Sequence, residues 1–141
     1  MTSSTATSSG IMFGPTQKGK WYISVYKHRG SGSPIHKSCW LHSVAPQVEF
    51  TIFVWSDDGD WRCSGGHYWG LRTQDGSEIE PLGNKGERLC KFPRTANSTD
   101  PWHGYPVLTS EDAPPDEFVE QWLHNRVITR TVARRIQKGR L

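Results

Sequence analysis

No stretch of this 141-residue chain approaches the roughly 20 consecutive apolar residues that cross a bilayer as a helix. The N-terminus, MTSSTATSSG, lacks the charged start and apolar run of a secretory signal, so a soluble, cytoplasmic protein without a membrane partner is expected. In that compartment the sequon Asn97-Ser98-Thr99 would stay unmodified. Cysteine is scarce as well. Cys39, Cys63 and Cys90 lie far apart, and an odd number completes no disulfide framework; reduced, partly buried thiols follow. The chain has no GxxxxGK[ST] loop, no GxGxxG at a strand-to-helix junction and no GxSxG elbow, which removes the common phosphate cradles and the serine-hydrolase nucleophile. Paired CxxC and HExxH patterns are missing too. Two looser groupings, His36-x-x-Cys39-x-x-His42 and Cys63-x-x-x-His67, put zinc-type ligands near each other. On strands, however, odd spacings turn His36 and His42 to the face opposite Cys39, so no metal and no cofactor is expected.

Acidic residues are absent from Asn125 to the C-terminus, while Arg126, Arg130, Arg134, Arg135, Lys138 and Arg140 all fall there. An acidic block, Glu111, Asp112, Asp116, Glu117 and Glu120, lies just upstream, so the net charge of +3 belongs to a basic end on a nearly balanced body.

The length suits a single domain with a core of its own. Residues 1–20, rich in Ser, Thr and Gly, offer little apolar area and are expected to remain a flexible segment outside the fold, leaving 21–141 as the domain. From Trp21 onward residues alternate with period two, which predicts a strand, and residues 35–44 are expected to return as a second one after the break at 30–34. The run VEFTIFVW at 48–55, β-branched and aromatic throughout, reads as a central strand. Residues 61–71, interrupted by Gly65-Gly66, then 77–82 and 87–92, complete the expected sheet. After Val107 the period changes to helical. Pro114-Pro115 followed by Asp116 and Glu117 opens a helix with the stripe Phe118, Val119, Trp122 and Leu123. Thr129 caps a second helix with Val132 and Ile136 inward and Gly139 at its end. The fold class is therefore α+β: a mainly antiparallel sheet of five or six strands followed by two short C-terminal helices.

Between sheet and helices lies KFPRTANSTDPWHGYPV, residues 91–107, an aromatic loop held by prolines. Its Trp102 and Tyr105 suit a recognition surface, since rigid aromatics bind at low ordering cost. Arg130, Arg134, Arg135 and Lys138 suit phosphate contacts. The leading expectation is thus a binding module for nucleic acid, another anionic partner or a protein, using this loop and the basic last helix. The alternative is a small hydrolase or nuclease. In it His103 is the general acid/base, Asp100 orients the imidazole, Arg94 clamps an anion and Tyr105 is a second donor. One histidine without a second base specifies no mechanism, so whether the protein is an enzyme stays open at this level.

Overall fold

The computed structural model describes residues 2–30 and 38–141, and its first element already lies inside the segment expected to stay outside the fold. Strand β1 (Ser3–Ala6) pairs antiparallel with β2 (Gly10–Gly14), and β2 with β3 (Tyr22–Val25). The expectation for residues 1–20 is therefore corrected. β1 is exposed along its whole length and gives no burial signal. What closes the hairpin is polar: Thr7 Oγ1 donates to the Gly10 carbonyl at 2.8 Å and accepts from the Gly10 amide at 3.1 Å. Phe13 at the end of β2 is buried and stacks on Phe50, centroids 5.3 Å apart.

The predicted central strand at 48–55 is a helix, α1 (Pro46–Asp58). Pro46 stands in its first turn, where a missing N–H costs nothing. Glu49, Ile52, Phe53, Ser56 and Asp57 are all buried, at the three- and four-residue spacing of one helical face. Because three of these five are polar, hydrophobicity alone hid the helical period, and β-propensity lost to tertiary context.

A second sheet follows, of order β4-β5-β6: β4 (Tyr68–Gly70), β5 (Leu89–Phe92) and β6 (Tyr105–Val107), antiparallel throughout. Pro106 is accommodated because β6 is an edge strand. So the β part is two three-stranded sheets and not one sheet of five or six. They are stitched by a parallel bridge in which Trp102 N donates to Trp21 O at 2.8 Å and Ile23 N to Trp102 O at 2.7 Å. The expected strand at 35–44 falls partly outside the described residues, and its remainder makes only the isolated bridge Trp40–Gly83. The run at 77–82 likewise reduces to the bridge Thr73–Ile79. Gly65-Gly66 forms a tight turn from Cys63 to His67, with Gly66 at φ +88°.

Helices α2 (Asp116–His124) and α3 (Arg130–Gln137) close the chain. Asp116 and Glu117 occupy the first turn of α2, and Thr129 Oγ1 accepts from Val132 N at 3.3 Å as the cap of α3. Among the described residues no helix is long and apolar enough to cross a membrane.

Side chains of the second sheet alternate between two cores. Tyr68, Cys90 and Phe92 pack with Phe53, Tyr22 and Trp102 on the α1 side, whereas Trp69, Leu89 and Val107 pack with Phe118, Trp122, Val132 and Ile136 on the α2–α3 side. The β4–β6 sheet is thus a middle layer. α1 sits so close to it that a Cβ on Gly70 would lie 2.6 Å from Ile52 Cγ2 and 2.9 Å from Cys90 Sγ. Gly70→Ala should therefore cost about 1–3 kcal/mol of stability through overpacking, measured by denaturant unfolding.

Two carboxylates of α1 are buried in this interior. Glu49 accepts from Tyr22 Oη at 2.6 Å, Ser24 Oγ at 2.6 Å and Arg29 Nη1 at 2.8 Å. Asp57 accepts from Thr16 Oγ1 at 2.9 Å and Tyr68 Oη at 3.0 Å, and pairs with Lys20 at 2.9 Å. Burial pushes the Glu49 carboxyl up from 4.5 to about 6, against the opposing pull of Ser24, Tyr22 and Arg29. An acid whose pKa is higher folded than unfolded stabilises the fold fully below the unfolded value and loses that contribution as pH rises through the folded one. Between pH 4.5 and 6 this group should remove about 2 kcal/mol as pH rises. Urea unfolding at several pH values should show that decline in the native protein and its absence in Glu49→Gln.

Candidate functional site

Trp102, the expected centre of a recognition loop, is a core residue only 6% exposed. Its ring meets Tyr68 edge-on at 5.0 Å and Phe53 at 5.8 Å, and the Arg62 guanidinium lies over it at 5.4 Å. Together with the backbone bridge to β3, this makes Trp102 the anchor that joins the two sheets. Among the described residues the large apolar side chains that reach solvent are Trp21, Tyr26 and Trp55.

The expected Asp100–His103 dyad is not formed. Asp100 Oδ2 accepts from Asn97 N at 3.3 Å and from Asn97 Nδ2 at 3.2 Å, closing the exposed turn at 97–100. Arg94 is also elsewhere: its amide donates to His67 Nδ1 at 3.0 Å and its stem lies against Gly66. His103 is half-buried, and the group it meets is a second histidine. The His28 and His103 rings lie nearly parallel, 9° apart in plane with centroids 6.5 Å apart, and Tyr105 contacts His28 at 5.2 Å. His28 closes the 3-10 turn Tyr26–His28 that follows β3, while His103 precedes β6. The Trp40 indole N–H donates to Gly104 O at 3.2 Å and fixes the chain just after His103.

The protonation of this pair can be read from its partners. His28 Nδ1 lies 2.9 Å from Ser38 O, and a carbonyl only accepts, so Nδ1 carries a proton. Burial lowers the His103 pKa below the usual imidazole value, with His28 and Lys27 adding to the effect. Burial raises that of Tyr105, which Lys91 opposes and Asp112 supports. Lys91 pairs with Asp112 at 3.0 Å. Nothing local marks His28 in the sequence, because it ends a strand-like run and carries no motif.

The basic residues of α3 and of the chain just after it do gather. Arg130, Arg134, Arg135, Lys138 and Arg140 line one open groove of about 410 Å³ with Thr131. Arg134 donates to Glu120 Oε2 at 2.6 Å and to Gln137 Oε1 at 2.7 Å. Arg135 donates to Arg140 O at 3.2 Å. Leu141 N bonds Thr109 Oγ1 at 3.1 Å, which ties the chain end to the body.

The three cysteines are free and buried. Cys39 Sγ points to backbone carbonyls, Cys63 and His67 flank the 63–67 turn, and His36 lies outside the described residues. Among the described residues no three His, Cys, Asp or Glu side chains gather as metal ligands. Compared with known proteins, the chain matches no family model, no curated protein and no solved structure.

Proposed function

We propose that the protein binds nucleic acid through the exposed face of α3, contacting the phosphate backbone. The observation that carries the reading is the convergence of Arg130, Arg134, Arg135, Lys138 and Arg140 on one groove, with Glu120 the carboxylate paired to it. α3 has eight residues and so runs about 12 Å, comparable to the reach of three or four phosphates of one strand at roughly 3.4 Å each. Val132, Ala133 and Ile136 are buried on the opposite side, so the cations sit on a helix clamped by its own core face. Arg134 is preorganised by Glu120 and Gln137, which lowers the entropy lost when it meets a phosphate. Trp102 takes no part in this reading, being committed to the core. A phosphate-backbone contact of this kind is insensitive to base sequence and strongly dependent on salt.

The test is filter binding to mixed single-stranded and duplex DNA and RNA at about 50 mM salt, repeated up to about 200 mM. The native protein should bind at the low value and release as salt rises. Arg135→Glu with Lys138→Glu should weaken binding at least about tenfold and flatten the log–log salt dependence by roughly two, while leaving the circular dichroism spectrum unchanged. Absence of binding by the native protein at low salt, or an unchanged double variant, rejects the reading.

A further inference from the structure

We infer that the cleft between the C-terminal end of α1 and the turn joining α2 to α3 takes an unpaired base, so that the nucleic acid held by α3 is a single strand. The inference rests on the α3 reading for the phosphates and on the cleft itself for the base. Trp55, Trp61, Gln74, Asp75, Asn125 and Arg126 line an open space of about 360 Å³, at the small end of the range for ligand sites. Trp55 stands near the end of α1 and is 42% exposed, whereas tryptophans are on average highly buried. Trp61 is half-buried and rests edge-on against the core ring of Trp122, centroids 5.5 Å apart. Two indoles, one open to solvent and one fixed from behind, suit a stacking platform, because every base has a π-face.

The cleft is built before any ligand arrives. Thr73 Oγ1 donates to Glu78 O at 2.7 Å and accepts from Gly76 N at 2.9 Å, closing the turn on one side. Gly76 O accepts from Thr129 N at 3.0 Å, which docks that turn on the segment before α3. Gln74 and Asn125 carry amides that both donate and accept, as the edges of bases do. Asp75 Oδ1 accepts from Ser77 N at 2.9 Å and Glu78 N at 3.1 Å, and these backbone donors hold its carboxyl below the usual carboxylate range. An ionised carboxylate keeps a phosphate out of the cleft and accepts from an exocyclic amine, so the cleft suits a base and not the backbone. With Glu78 and Glu80 beyond Asp75, this wall directs the phosphates towards α3.

Arg126 supplies the link to α3. It follows Asn125, the C-cap of α2, with φ +62°, a left-handed position where glycine is the usual residue. The backbone disfavours an arginine there, and among the described residues its guanidinium makes no hydrogen bond or ion pair. An exposed, unpaired guanidinium on an aromatic cleft, present at a backbone cost, fits a contact to phosphate. Arg130, the first residue of α3, lines the basic groove and stands four residues further on, at most about 14 Å away along the chain. That span is roughly four phosphates of one strand, so a base in the cleft and phosphates on α3 belong to one short segment.

The experiment measures fluorescence anisotropy of labelled probes of about 12 nucleotides with the full chain at about 50 mM salt. The probes are a mixed-sequence single strand and its duplex, each as DNA and as RNA, and an abasic DNA strand that carries the same phosphates without bases. The single strand should bind at least about tenfold more tightly than the duplex or the abasic strand. Trp55→Ala should weaken single-strand binding about 5- to 100-fold, the range of one base stack, and leave the duplex unchanged, while Trp55→Phe retains most of the affinity. Arg126→Gly, whose backbone suits the left-handed position, should also weaken the single strand while its thermal midpoint stays the same or rises. Equal binding of the single and abasic strands, or native single-strand affinity in folded Trp55→Ala, overturns this inference alone, because the duplex and abasic probes still report phosphate contact. Loss of single-strand binding in Trp55→Ala with none in Arg135→Glu, Lys138→Glu overturns the α3 reading alone, and no binding of any probe overturns both.

Discussion

Both sheets depend on one buried carboxylate. Asp57, at the last turn of α1, accepts from Thr16 between β2 and β3, from Tyr68 on β4, and pairs with Lys20. Burial by itself would raise its pKa, yet Lys20, Thr16 and Tyr68 bring it below the usual carboxylate range. A charge in the interior is tolerable only when its lone pairs are taken up in this way. Glu49, two turns earlier, does the same for Tyr22, Ser24 and Arg29. α1 therefore acts as a polar peg as well as an apolar one, and the donors that its carboxylates accept from hold β3 and β4 against it.

That arrangement places the two candidate surfaces. With β3 bridged to Trp102, the turn after β3 and the loop before β6 are brought together, and His28 meets His103. The sheet β4–β6 then separates this region's core from the one under α2 and α3. The basic groove and the imidazole pair thus rest on different cores and different elements.

Parts of the fold were legible because their signals are local. The start of α2 shows in Pro115, Asp116 and Glu117, the cap of α3 in Thr129, and their inward faces in Phe118, Trp122, Val132 and Ile136. Strand β5 and the clustering of cations on α3 were readable for the same reason. α1 was not, because Glu49, Ser56 and Asp57 occupy buried positions where a hydrophobic pattern needs apolar residues. Strand β1 was not, because an exposed strand carried by backbone bonds leaves no periodic trace.

The candidate site divides along the same line. The sequence alone determined that the last helix is amphipathic and cationic on its outer side, since capping and a 3.6-residue period act within a few residues. Tertiary structure alone decided that Trp102 is a core anchor and that the partner of His103 is His28. Those facts depend on which distant strands pair. That pairing is set here by buried carboxylates whose partners are far away in the chain, so no window of sequence contains both sides of the interaction.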